Sequence, residues 1–239
     1  MEDCPHQPSD HTTTSSSSSS TSSTATTPMA WVRTFALPHY EAFAVHVALF
    51  KDVRNARFLK SQLLQANPDF DYAFLDADLI LSPNHLLASA FITLHALQTH
   101  RHKTRAPHAE LVFRLSPTNN IAESFNKFGL SDSTTNLIAV KLPLISQSDE
   151  WVVDETVTNQ SVSQHLTRIV EGTSVEIGEE GLELGQACHL EKVRKVYKLG
   201  AESAPKRAQK GAAANGGDEW DHRKDMETVI LGTMTLKGT

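Results

Sequence analysis

Arg101-His102-Lys103-Thr104-Arg105 brings three cations and an imidazole together in a chain of 239 residues whose net charge is −6 with histidine neutral. Phosphate recognition asks for mobile or forked cations, which Lys103 and Arg105 supply. A short distance on, Ser116-Pro117-Thr118-Asn119-Asn120 opens a helix, and Asn119 and Asn120 stand where backbone amides at a helix start can receive an anion or a splayed base. Each segment also has a plain use. Cations after a long apolar helix favour its C-terminus by about 0.3 to 1 kcal/mol, and Ser, Pro and Asn are what a tight turn requires. Because the chain is acidic overall, any contact with RNA has to be local.

His95, His100, His102 and His108 invite an enzymatic reading, a metal-dependent hydrolase. Zinc needs donors that converge tetrahedrally, on a helix usually at i and i+4, and these spacings do not supply that. Asp76 and Asp78 form a lone DxD, with no P-loop, GxSxG or GxGxxG beside it. No catalytic residue, metal or cofactor is therefore assigned. Cys4 and Cys188 make neither a disulfide framework nor a zinc site. Asn159-Gln160-Ser161 is a formal glycosylation acceptor, but no secretory signal precedes it. No apolar run reaches the roughly 18 to 20 residues of a membrane span.

The elements that must position these groups follow from periodicity. Phe43, Val45, Val47 and Leu49 alternate as a strand over 43–50. Asp52 is expected to cap a helix carrying Val53, Ala56, Leu59 and Leu63, which Asn67-Pro68 stops. A short strand follows over 72–75. Ser82-Pro83 then opens a long helix whose stripe, Leu86, Leu87, Ala90, Phe91, Leu94 and Leu97, is broader than one core face requires. Leu111, Phe113 and Leu115 alternate as another strand, Asn120 and Glu123 fit a capping box ahead of Phe125 and Phe128, and Gly129 closes that helix. A strand over 136–142 completes the alternating half. After Pro143 the reading is mainly helical, with Val162, Leu166, Ile169 and Val170 on one face, then a helix over 190–199 using Val193, Val196 and Tyr197. Residues 1–30 form a Ser/Thr-rich leader expected to be disordered, and 200–219 have the composition of a flexible linker. Met226, Val229, Ile230 and Met234 mark a final amphipathic helix within 220–239. The expected fold is α+β, a small mixed β-sheet flanked by several helices in a single domain over 31–199, to which the last helix returns.

Taken together, these segments resemble one family. They are Ala48-Leu49-Phe50-Lys51-Asp52-Val53-Arg54-Asn55-Ala56, Phe74-Leu75-Asp76 before the Ser82 helix, Lys103-Thr104-Arg105, Glu110, Leu115-Ser116-Pro117-Thr118-Asn119-Asn120-Ile121, Phe128-Gly129, Asn136-Leu137-Ile138 and Val193-Arg194-Lys195-Val196-Tyr197-Lys198-Leu199. In order and spacing they resemble the TPRKB-type, PRPK-binding subunits of the EKC/KEOPS complex in a fungal form. The resemblance covers 45–199 and resumes over 226–238.

It implies a non-catalytic accessory subunit of the complex that installs threonylcarbamoyl on an adenosine next to the tRNA anticodon. The implied partners are the PRPK-type kinase, indirectly the catalytic threonylcarbamoyl transferase subunit, and the acceptor end of tRNA with its CCA tail. Neither a membrane nor a small-molecule substrate is implied. The family is linked to telomere maintenance in fungi, so the nucleus and the cytoplasm are the expected locations. For tRNA the candidate residues are Arg101, Lys103, Arg105, Asn119 and Asn120; for the kinase they are Tyr197, Val229, Ile230 and Met234, each of which could instead be core. A kinase-binding scaffold with no RNA contact is the alternative within the binding class.

Overall fold

The computed structural model describes residues 29–199 and 217–237. Nearly all of the expected leader and linker lies outside them. The described chain runs β1 (Arg33–Phe35), β2 (Val45–Lys51), α1 (Ala56–Leu64), β3 (Ala73–Asp76), α2 (Pro83–Gln98), α3 (Pro107–Leu115), α4 (Ile121–Phe128), β4 (Leu137–Lys141), β5 (Leu144–Gln147), β6 (Glu150–Val153), α5 (Asn159–Ile169), β7 (Thr173–Val175), α6 (Leu190–Tyr197) and α7 (Gly217–Leu236).

The alternation read in β2 is real, but both of its faces are covered. Val45, Val47 and Leu49 enter one core while Ala48 and Phe50 enter the other. The first core lies under α2, α3, α4, α6 and α7, and the second under α1 and α5. The result is an α+β fold of three layers with the sheet in the middle. Its strand order is β1-β2-β4-β3, with β7 also on β2, and every pairing is antiparallel. The expectation of a mixed sheet is corrected for a topological reason. β2 and β3 run parallel across the helix between them, but β4 inserts antiparallel to both.

Local chemistry explains the boundaries that hold. Ser82 Oγ accepts the His85 amide at 3.1 Å and Pro83 takes the first helical position. Asn120 Oδ1 accepts the Glu123 amide at 3.1 Å. The box is not reciprocal, because the Glu123 carboxylate bonds Lys127 Nζ at 2.5 Å. Gly129 ends α4 where a Cβ would lie 2.6 Å from the Phe125 carbonyl oxygen.

Three further expectations are corrected. Residues 111–115 are helix, not strand: Pro107 starts α3, every residue from Glu110 to Leu115 is buried, and Glu110 and Arg114, four apart, lie on one helical face. The stretch after Pro143 begins with the β5–β6 hairpin, whose turn residues Ser148 and Asp149 both take positive φ, 51° and 69°. That is the primed-turn backbone usually signalled by Asn-Gly, and Ser-Asp gives no such signal. Asp52 does not cap α1, since it is itself left-handed at φ 54° and the helix starts after Asn55. Asn55 spends its side chain on the end of α5, donating to the Ile169 carbonyl at 2.8 Å and accepting the Glu171 amide at 3.1 Å. β7 follows Gly172, where the sequence pattern gives no strand signal.

Candidate nucleic-acid interface

The loop between α2 and α3 exposes Arg101, Lys103 and Arg105 to solvent. Its shape comes from a residue beneath it. Glu110, fully buried, accepts the backbone amides of Lys103 at 2.9 Å and Thr104 at 2.8 Å, and the Thr104 hydroxyl at 3.0 Å, all on Oε2. Its other oxygen accepts Arg114 Nε at 2.7 Å. The loop amides are thus consumed inward, and the Lys103 and Arg105 side chains are what the loop offers outward.

Arg114 extends the network. Its guanidinium donates to the Arg101 carbonyl at 3.3 Å and the Lys237 carbonyl at 3.1 Å. Lys237, buried just beyond α7, sends its ammonium to the carbonyls of Phe113 and, at 2.8 Å, Ser116. It also sits 3.6 Å from the centroid of the Phe113 ring. Burial, with Arg114 alongside, pushes Lys237 down to about 7, and Glu110 opposes the shift. Ser116 opens the turn that ends in the exposed Asn119 and Asn120. The two segments singled out from the sequence therefore flank α3 and are tied to each other through Glu110, Arg114 and Lys237.

Beside them lies a cleft of about 600 Å³. Phe70, Tyr72 and Phe74 line it from the β3 side, Val112 from α3 and Phe125 from α4, with polar Lys60, Asn67 and Asn126 among the lining residues. Ala106, next in sequence to Arg105, belongs to its wall. Aromatic walls with a few polar groups suit a flat, partly polar ring such as a nucleobase. Sequence reading missed this cleft, because its residues come from three separated segments, 60–74, 106–112 and 125–131.

The residues considered for the kinase divide differently. Tyr197 donates its hydroxyl to the Leu115 carbonyl and packs edge-on against His85 and Phe128. Ile230 and Met234 have no exposed surface. The reading of these three as a docking face is corrected: they hold α6 and α7 onto this chain's own core. Val229 is 44% exposed, and Leu236, two helical turns on, is 75% exposed.

The histidines do not converge. His95 Nδ1 bonds the Tyr40 hydroxyl at 2.9 Å, whereas His108 spends Nδ1 on Asp71 at 2.9 Å and Nε2 on the Leu142 amide at 2.9 Å. Burial opposes ionisation of Asp71, yet His108 and Lys141 hold its carboxyl well below the usual range. In the DxD pair, Asp76 accepts the Asp78 amide and the Thr134 hydroxyl, and Asp78 pairs with Lys192 at 2.6 Å. Among the described residues no three of His, Cys, Asp and Glu are placed to hold a metal ion. No described helix is long and apolar enough to cross a membrane.

Comparison with known proteins agrees with the resemblance read from the sequence. The family model described as kinase binding protein CGI-121 matches residues 50–238. The EKC/KEOPS complex subunit CGI121 of Phaeosphaeria nodorum is 61% identical over 233 residues, covering 87% of this chain and all of the relative. The corresponding subunit of Aspergillus terreus is 42% identical over 81% of this chain and 91% of its own length, and that of Schizosaccharomyces pombe 30% over 68% and 86%. On the extent of these matches, the chain belongs to the kinase binding protein CGI-121 family.

Proposed function

We propose that this protein is a non-catalytic EKC/KEOPS subunit that binds the PRPK-type kinase and holds the acceptor end of tRNA while the catalytic subunit attaches threonylcarbamoyl next to the anticodon. The observation that carries the RNA half is the Glu110-shaped loop, which presents Lys103 and Arg105 beside an aromatic-walled cleft. Cations of this kind meet backbone phosphate, and the cleft suits an unstacked base of the single-stranded CCA tail. The exposed Val229 and Leu236 of α7 give the kinase an apolar strip. On this reading the protein acts in the nucleus, telomeres included, and in the cytoplasm.

The test compares full-length tRNA with tRNA lacking its CCA end, bound to the purified chain over a salt series. Tighter retention of the complete tRNA, weakening steeply with salt, supports the proposal. Equal retention of the two contradicts it. The matched family is described by kinase binding alone, and this favours the second reading, a kinase scaffold without RNA contact, should no tRNA be retained.

A further inference from the structure

An isolated ammonium is costly to bury, and an apolar residue would pack on Phe113 without that cost. Lys237 nonetheless occupies this place, with partners on both sides. At the end of α3 the Phe113 carbonyl accepts the Ser116 amide at 3.2 Å, but the carbonyls that follow lie past the last helical amide, and the next residue but one, Pro117, has none to offer. Lys237 covers the Phe113 and Ser116 carbonyls, and Tyr197 covers that of Leu115. In return, the Lys237 carbonyl accepts Arg114, which also bonds Glu110, which in turn holds the amides of Lys103 and Thr104.

We infer that Lys237 is a positioning residue through which the end of α7 sets the shape of both loops flanking α3. One arm runs from its ammonium to Ser116 and the turn ending at Asn120. The other runs from its carbonyl through Arg114 and Glu110 to Lys103 and Thr104. Each step is a direct hydrogen bond. A force on α7 therefore reaches both loops, and the helix's other hydrogen bonds, from Arg223 to the Leu81 and Gly185 carbonyls and from the Ser82 hydroxyl to Glu227, meet the start of α2 and the loop at Gly185 and not the sheet strands. With the kinase seated on the exposed face of the same helix, kinase binding and tRNA binding are coupled, and the coupling is reciprocal. The mechanical part rests on geometry alone; the coupling to tRNA rests on the function proposed above.

The experiment is hydrogen exchange on the full chain and on Lys237→Met, which keeps the stem and removes the donors, with Lys237→Arg as the conservative variant. In Lys237→Met the amides of Lys103, Thr104 and Thr118 are expected to exchange at least tenfold faster while those of β2 and β4 keep their protection, and Lys237→Arg is expected to restore part of the loss. Unchanged loop exchange in Lys237→Met overturns the inference. If that variant fails to fold, the unaltered protein decides: under rising denaturant the Lys103 and Thr104 amides should open together with the last turn of α7, and independent opening overturns it. Retention of tRNA is measured alongside. Loosened loops with at least threefold weaker retention support both the positioning role and its coupling to tRNA, whereas loosened loops with unchanged retention leave the positioning role standing and remove its coupling to tRNA.

Discussion

Glu110 Oε1 stands 2.7 Å from Arg114 Nε, one helical turn on, with both side chains shut away from water. Such a pair is balanced against a large desolvation penalty, and only further hydrogen bonds tip it towards stability. Glu110 has three, all to Lys103 and Thr104, and Arg114 has two, to Arg101 and Lys237. What the pair contributes beyond an apolar core is a fixed loop carrying Lys103 and Arg105.

Glu110→Ala leaves Arg114 buried without its carboxylate and is expected to lower stability by about 3 to 5 kcal/mol. The double replacement Glu110→Leu with Arg114→Met removes both charges and is expected to recover most of that loss while leaving the loop untied. Urea unfolding of the three proteins checks this. A double variant as unstable as the single one contradicts it.

Lys103→Glu with Arg105→Glu touches two exposed side chains, so folding should be unaffected. Affinity for tRNA is expected to fall tenfold or more at low salt. The dependence of log affinity on log salt should flatten by roughly 0.7 to 0.9 for each phosphate that the variant no longer neutralises. Unchanged binding by the double variant removes these residues from the site.

On α7 two neighbours should behave in opposite ways. Val229→Asp is expected to weaken kinase binding with stability intact, since the side chain is half in solvent. Ile230→Ala empties a fully buried position and is expected to lower stability by about 2 to 5 kcal/mol. Isothermal titration with the kinase and thermal unfolding separate the two effects.

The pH dependence follows from His85. Tyr197 gives its hydroxyl proton to Leu115, so His85 Nε2 donates to Tyr197 at 2.8 Å while Nδ1 accepts the Leu81 amide at 3.2 Å. The ring is neutral, and burial pushes it down to about 3. The unfolded chain takes up this proton near pH 6.5, the folded chain near 3, so stability is lost as pH falls through that window. Between about pH 7 and pH 4.5 the loss is expected to be about 2 to 3 kcal/mol. Burial lowers His108 as well, adding in the same direction. Urea midpoints that stay flat over that range contradict the assignment of a neutral His85.

Elements announced by a cap or an alternating strand were legible in the sequence. Ser82, Asn120 and β2 mark their places by local chemistry that tertiary context leaves alone. α3 was not legible, because Leu111, Phe113 and Leu115 also fit the alternation of a strand and only Glu110 and Arg114 mark the helical period. That misreading also hid the site's support: Glu110 and Arg114 meet only at helical spacing. The exposed cations of the loop were visible as residue types, whereas Lys237 acquires its partners only through a contact spanning more than a hundred residues. Tyr197, Ile230 and Met234 showed the opposite limit, since an apolar helical face reads alike whether it meets its own core or a partner.

The central claim, that this chain works by holding a kinase and an RNA, is tested most directly by mixing the purified protein with the PRPK-type kinase and tRNA and measuring mass by light scattering during gel filtration. The account predicts a kinase complex with one copy of each protein, weakened by Val229→Asp, that takes up tRNA carrying its CCA end and loses it in Lys103→Glu with Arg105→Glu. A chain that elutes alone in the presence of both partners contradicts it.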